Sequence, residues 1–118
     1  MRRMSSQGLQ VSSKSGGPQG IHVLTLQGTL TVVSAPSLQE AVAASSGRAL
    51  VIDMTGVSHI DSMAVGGLVR AYVSCQKAGR KLALAGLNRR VLNVLNITGV
   101  EPLFDTYASA AEAESALA

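Results

Sequence analysis

The sequence predicts a layered α/β domain in which a mixed β-sheet packs against about four α-helices. Three observations carry that prediction. Short apolar runs alternate with stretches of helical periodicity in the order β-β-α-β-α-β-α-β-α. Leu50, Val51, Ile52 and Met54 form an apolar run broken only by Asp53, the pattern of a central strand covered on both faces. From Ser62 the period changes from two to 3.6, so that Val65, Leu68, Val69, Tyr72 and Cys75 share one helical stripe. Met63, Gly67, Arg70, Ser74 and Lys77 line the opposite face. Right-handed crossovers then place the helices against the sheet.

Each element has its own local reason. Residues 1–7 are polar and are expected to be a disordered tail, leaving 8–118 as the domain. Leu9 and Val11 alternate with polar neighbours and predict a short first strand. Ser12 to Gly20 is rich in Gly and Ser and reads as a hairpin loop. Ile21 to Leu26 forms the next strand, ending at Gln27-Gly28. Ser34 to Ala44 reads as a helix with Pro36 in its first turn, Leu38, Ala41 and Val42 facing inward, and Gly47 closing it. After the central strand, Thr55-Gly56 breaks the run, with Gly56 able to supply a positive φ for a tight loop. The helix that follows ends at Gly79, and Leu82, Leu84 and Leu87 mark another strand region. Asn88 is placed to cap a helix through Asn96 whose buried face is Val91, Leu92 and Leu95, with Gly99 beyond its end. Phe104 to Tyr107 reads as a short edge strand. Ser109 and Glu112 have capping-box spacing and open a last helix carried by Ala113, Ala116 and Leu117.

Composition narrows the functional classes. At 118 residues there is room for one core. That core must be aliphatic, because the chain has one Phe, two Tyr and no Trp. The single cysteine, Cys75, cannot form an internal disulfide, which fits a reducing compartment, and its place on the apolar stripe predicts an inert buried thiol. No apolar run approaches the ~20 residues of a membrane span, and no leader-like segment opens the chain, so a cytoplasmic protein without membrane insertion is expected. The net charge of +3 is scattered along the chain without an aromatic stacking platform, which argues against direct nucleic-acid binding. Arg89-Arg90 opens a helix, where the dipole disfavours cations, and this gives slight support to an acidic protein partner.

The chemistry-bearing residues gather around the junction between the central strand and its helix. Asp61 or Ser62 is the natural N-cap, since either side chain can accept from an amide of the first turn. A phosphate on Ser62 would sit beside those amides and change the local charge by about −1.5 to −2. Two glycines inside a helix, Gly66 and Gly67, point to close backbone packing or an approaching partner, because each costs about 1 kcal/mol relative to alanine. Met63 adds an apolar side chain to the outward face. His59, Asp61 and Ser62 carry the letters of a hydrolase triad, but residues this close along a loop point in different directions. His59 and His22 lack the companions of a metal ligand set and read as structural. No enzyme and no cofactor is expected.

The segment VIDMTGVSHIDSMAVGGLVRAY resembles the signature of the STAS domain family, which includes the bacterial anti-sigma factor antagonists. Upstream, LTLQGTLTVVSAPSLQEAV is similar to the family's strand, G-x-L turn and first helix. Downstream, the resemblance continues through GRKLALAGLNRRVLNVLNITGVEPLFDTYASAAEAESAL, so that it spans Leu9 to Leu117. It implies an antagonist that binds an anti-sigma factor with serine kinase activity and thereby frees a sigma factor. Ser62 would be the phosphorylation site and Asp61 would frame it, and His59, Met63, Val65 and Gly66 would be contact candidates. Phosphorylation would release the partner, because a dianion at a packed interface is desolvated without a counter-charge. This chain differs from the family pattern in having Thr31 where an acidic residue follows the G-x-L turn, and D-S-M-A where D-S-S-G or D-S-T-G is usual. Met63 and Ala64 make a bulkier, more apolar rim, suited to a different partner or a kinase of altered preference. Two other roles remain open: a non-catalytic scaffold subunit of a signalling or transporter complex, and a sensor of a nucleotide or lipid. A monomer is favoured, since few exposed apolar residues are expected away from the switch.

Overall fold

The computed structural model describes the backbone of Arg2–Ser6 and the whole of residues 8–14 and 20–118. Within these residues one sheet of six strands follows the chain order: β1 (Arg2–Ser6), β2 (Leu9–Lys14), β3 (Ile21–Leu30), β4 (Ala49–Ile60), β5 (Lys81–Ala85) and β6 (Asp105–Tyr107). The first two pairings are antiparallel and the last three parallel, so the sheet is mixed. Helices α1 (Ala35–Ala44), α2 (Ser62–Lys77) and α3 (Arg89–Ile97) connect the parallel strands, a single 3₁₀ turn at Glu101–Leu103 follows α3, and α4 (Ala110–Leu117) closes the chain.

Residues 1–7, expected as a disordered tail, instead give a strand over Arg2–Ser6 that pairs with Leu9–Ser13. An edge strand offers a row of unpaired N–H and C=O groups, and β1 satisfies those of β2 through backbone bonds that demand no apolar pattern. The hairpin between β2 and β3 is present, but β2 runs on to Lys14; residues 15–19 of the expected loop lie outside the described residues.

The two faces of the sheet are filled differently. On one, Leu24, Leu26, Leu50, Ile52, Met54, Leu82 and Leu84 pack against Leu38 and Val42 of α1, Leu68 and Cys75 of α2, and Val91 and Leu95 of α3. On the other, Ile21, Val23, Ala49, Val51, Ala83 and Ala85 meet Ala113 and Leu117 of α4. Strand β5 shows the division most plainly, with leucines toward three helices and alanines toward one. Small side chains on that second face let the short α4 approach closely. Ala116, expected to share the buried face of α4, is exposed, as is Leu92 on α3. The eight-residue α4 turns only Ala113 and Leu117 to the sheet. In α3 the buried positions are Val91 and Leu95, with Val94 packing at the edge of the core.

The central strand does not stop at Thr55-Gly56. It continues to Ile60, pairing with β3 through register shifts at Thr25/Gln27 and Gly28/Thr29. Gly56 is therefore not a positive-φ turn residue. It is glycine because β3 crosses so closely that a Cβ would lie 2.8 Å from Gln27 Cγ and 3.0 Å from Leu26 O. Gly28 combines both constraints, with φ of 114° and a Cβ position only 1.9 Å from Gly8 O. These irregularities bend the β3–β4 pair and carry its end, with the start of α2, beyond the last ladder bonds of β5.

Candidate functional site

The ends of the parallel strands deliver three loops to one edge of the domain, the region where open α/β sheets commonly bind. Thr31–Ser34 leaves β3, Asp61 leaves β4, and Gly86–Asn88 leaves β5. Each is tied to its neighbour. Leu30 O accepts from Asp61 N at 3.2 Å, joining the first loop to the second. Asn88 Nδ2 donates to Val57 O at 3.0 Å, joining the third to β4. Within the first loop, Ser34 Oγ donates to Thr29 O at 3.0 Å and accepts from Thr31 N at 2.9 Å. Ser34 is buried and fixes the loop, and it makes no side-chain cap on α1.

Asp61 is the N-cap of α2. Its Oδ1 accepts from Ala64 N at 2.7 Å, and Oδ2 accepts from Val32 N at 3.4 Å. One carboxylate thus caps a helix and holds the adjacent loop. Ser62 takes the first helical position and is exposed. Because Asp61 supplies the cap, the helix does not draw on the Ser62 hydroxyl. With its carboxylate on two amides, Asp61 is not arranged as the third member of a triad with His59 and Ser62. Among the described residues no group of three His, Cys, Asp or Glu side chains could hold a metal ion.

The remaining expected site residues separate into two sets. His59 is exposed near the end of β4, opposite Thr29 on β3. Met63 is 69% exposed, and Gly66 is exposed with open space where a Cβ would stand. Val65 does not belong with them. It is 4% exposed and packs into the main core, because at this point of α2 the inward stripe runs through Ala64, Val65 and Leu68. Gly67, expected on the outer face, is buried where α2 crosses α1: a Cβ there would meet Gln39 Nε2 at 3.3 Å and Ala35 Cβ at 3.5 Å. Gln39 Nε2 donates to Gly67 O at 2.7 Å, which locks the crossing. The glycine pair therefore has two functions, close helix packing at Gly67 and an open surface at Gly66.

Sequence reading does not identify Val32 and Val33, which are 52% and 57% exposed in the loop beside Asp61. The available signal is a Val-Val pair between the end of a strand and the Ser-Ala-Pro start of a helix, where polar residues are usual. Val32 lies with Met63, the neighbour of Ser62 in α2, on one apolar rim. From it a groove of about 450 Å³ runs between α1 and α2, lined by Val32, Pro36, Gln39, Met63, Gly66 and Arg70 among others. Thr31 lies in the same loop, where its Oγ1 accepts from the amides of Val33 and Ser34 at 3.3 and 3.4 Å.

Two titratable groups away from this edge are shaped by burial. Burial raises the pKa of the Cys75 thiol, which keeps it protonated. Burial, and then the Arg80 guanidinium, lower the pKa of His22.

Comparison with known proteins gives a consistent result. The STAS domain family matches residues 15–113. The anti-sigma-B factor antagonist of Bacillus subtilis (strain 168) is 32% identical over 87 residues, covering 72% of this chain and 80% of that protein. The crystal structure of an anti-sigma factor antagonist from Mycobacterium paratuberculosis superposes with a TM-score of 0.77 at 24% identity, covering 91% of this chain and 93% of that one. A sulfate transporter family protein from Wolinella succinogenes shares the fold with a TM-score of 0.76 at 22% identity, over 86% and 88% of the two chains.

Proposed function

The chain belongs to the STAS domain family, and from that premise we propose that it is an anti-sigma factor antagonist switched by phosphorylation of Ser62. It binds an anti-sigma factor with serine kinase activity in the cytoplasm, frees the sigma factor, and performs no chemistry of its own. The observation that carries this reading is the setting of Ser62, exposed at the first position of α2, next to the exposed Met63, which shares one groove with the exposed Val32. An unmodified hydroxyl there leaves the apolar rim available for burial against a partner. A phosphate would place about −1.5 to −2 charges at the same spot, on the residue next to Asp61 and with no basic side chain in the first turn of α2. Desolvating that dianion on binding would cost several kcal/mol, enough to reverse the association.

The helix N-terminus makes modification compatible with the fold, since first-turn amides and the dipole favour negative charge. His59, Met63 and Gly66 are the surface through which the kinase would recognise its substrate, with Asp61 presenting the serine. Met63 in place of a small polar residue narrows the set of suitable kinases to those with an apolar pocket beside the phosphoacceptor.

Intact-mass analysis tests the switch. The protein and its Ser62→Ala variant are incubated with ATP and each candidate anti-sigma serine kinase from the same organism. The expected result is one added phosphate on the parent, none on the variant, and at least tenfold weaker kinase binding by the phosphorylated form. Tight binding by a candidate without any phosphate transfer would sink the switch and leave a scaffold role.

A further inference from the structure

The outer face of α2 continues the groove well beyond Ser62. Met63, Gly66, Arg70, Val73, Ser74 and Lys77 follow one another at helical spacing along that face. A second shallow depression of about 340 Å³, lined by Val69, Arg70, Val73, Ser74 and Lys77, shares Arg70 with the groove between α1 and α2. Val73 is 41% exposed at its centre. Three of the exposed large apolar side chains among the described residues (Val32, Met63 and Val73) therefore lie on one strip. Over the length of α2 the strip is about 24 Å long, at 1.5 Å per residue.

Charge is sorted along it. Helix α2 carries Arg70 and Lys77 and no carboxylate, and α3 carries Arg89 and Arg90 and none. Glu112 and Glu114 lie on α4 behind the sheet, Glu101 and Asp105 lie toward β6, and the Asp61 carboxylate is taken by two amides. Glu40 on α1 is the one carboxylate lining the groove. Arg80 does not contribute to this face, because its guanidinium donates to Gly47 O, Ser45 Oγ and Ser46 O.

We propose that this strip is a docking track for an acidic amphipathic helix of the partner protein, whose apolar ridge covers Met63 and Val73 and whose carboxylates face Arg70 and Lys77. It rests on the reading that this edge of the domain binds a protein, and it adds the partner's chemistry and its direction of approach. A groove between two helices takes a rod-like ligand, and the open surface at Gly66 lets the partner's backbone come close. The apolar centre flanked by cations gives affinity and sign selectivity respectively. A flat anionic bilayer fits less well, because the surface is concave and Glu40 stands on its rim.

The test needs no kinase, so its failure and that of the phosphorylation switch are separate results. Two synthetic amphipathic peptides of about 18 residues, long enough as helices to match α2, share a leucine face and carry either glutamate or lysine on the other. Each is titrated into the isotopically labelled protein and followed by amide NMR shifts. The glutamate peptide should shift Gly66, Gly67, Arg70, Val73 and Lys77, and the lysine peptide should not. Combined Arg70→Glu and Lys77→Glu changes should weaken binding at least tenfold, and Val73→Ser alone should weaken it severalfold. All these positions except Gly67 are exposed, so the variants' own spectra check that the fold is intact. Equal binding of both peptides, shifts confined to Arg89 and Arg90, no shift with either peptide, or cosedimentation with anionic vesicles that produces the same shifts would each overturn the proposal.

Discussion

His22 shows how a single residue ties distant parts of this fold together. Its ring is buried, and Ser46 N–H donates to Nδ1 at 3.5 Å. An amide can only donate, so the proton sits on Nε2, which donates to Ser13 Oγ at 2.6 Å. Strands β2 and β3 and the loop after α1 meet at this neutral imidazole, and Arg80 pins the same loop. Burial and the nearby guanidinium both hold the folded pKa below the ordinary 6.5. The unfolded chain therefore binds the proton more readily, and the stability contributed by neutral His22 is full above about pH 6.5 and lost as the pH falls through the folded value. Urea unfolding at pH 7.5 and 5.5 should show a loss of stability in acid that is smaller in His22→Gln; an equal loss in both would assign the effect elsewhere. From the sequence His22 is recognisable as structural, but its partners are not, because Ser13 and Ser46 reach it only after a hairpin and a helix have formed. For the same reason Val65 reads as a contact residue and Val32 does not. Proximity to Ser62 in sequence is legible, whereas the direction of a side chain on α2 depends on where α1 packs.

At the scale of the element, α2 is the part whose sequence is most informative and whose weak points differ from one another. Its N-terminus is legible in Asp61-Ser62, its end in Gly79, and its two glycines as an anomaly. What the sequence does not distinguish is that Gly67 is enclosed and Gly66 is open, since that requires Gln39 to be placed against Gly67 O. The difference has a measurable form. Gly66→Ala meets nothing within 4 Å and should stabilise the helix by up to about 1 kcal/mol, the propensity difference alone. Asp61→Ala should destabilise by about 1 kcal/mol, because both the cap and the hold on Val32 are lost. Denaturant midpoints of the two variants should thus move in opposite directions. A destabilised Gly66→Ala would mean that this part of α2 is packed and not an open surface. Strand β4 teaches the complementary lesson: Thr55-Gly56 reads as the end of a strand from composition, yet the residues bulge and continue, because the neighbouring β3 bulges with them.

For the whole molecule, the alternation of periods makes the layered fold legible, and the order of its strands follows from short connections. The additional strand β1 is not legible, because it is held by backbone pairing that leaves no hydrophobic signature. The two faces of the sheet are unequal, and the face beneath α4 depends on one short helix for its cover. A chain ending before Ala110 should remain compact on the three-helix side but expose Ile21, Val23 and Val51, and so self-associate. Light scattering should report this as a mass that rises with concentration, while the full chain shows no such rise at the same concentrations. Because every strand lies beside its neighbour in sequence, each new element finds its place on what has already been made. During synthesis on the ribosome the sheet can therefore grow strand by strand from its N-terminal edge, with the surface around Ser62 assembled before the last helix emerges. The nascent chain would then pass through an interval in which the surface around Ser62 is complete and the back of the sheet is still bare, the interval in which it most needs a chaperone.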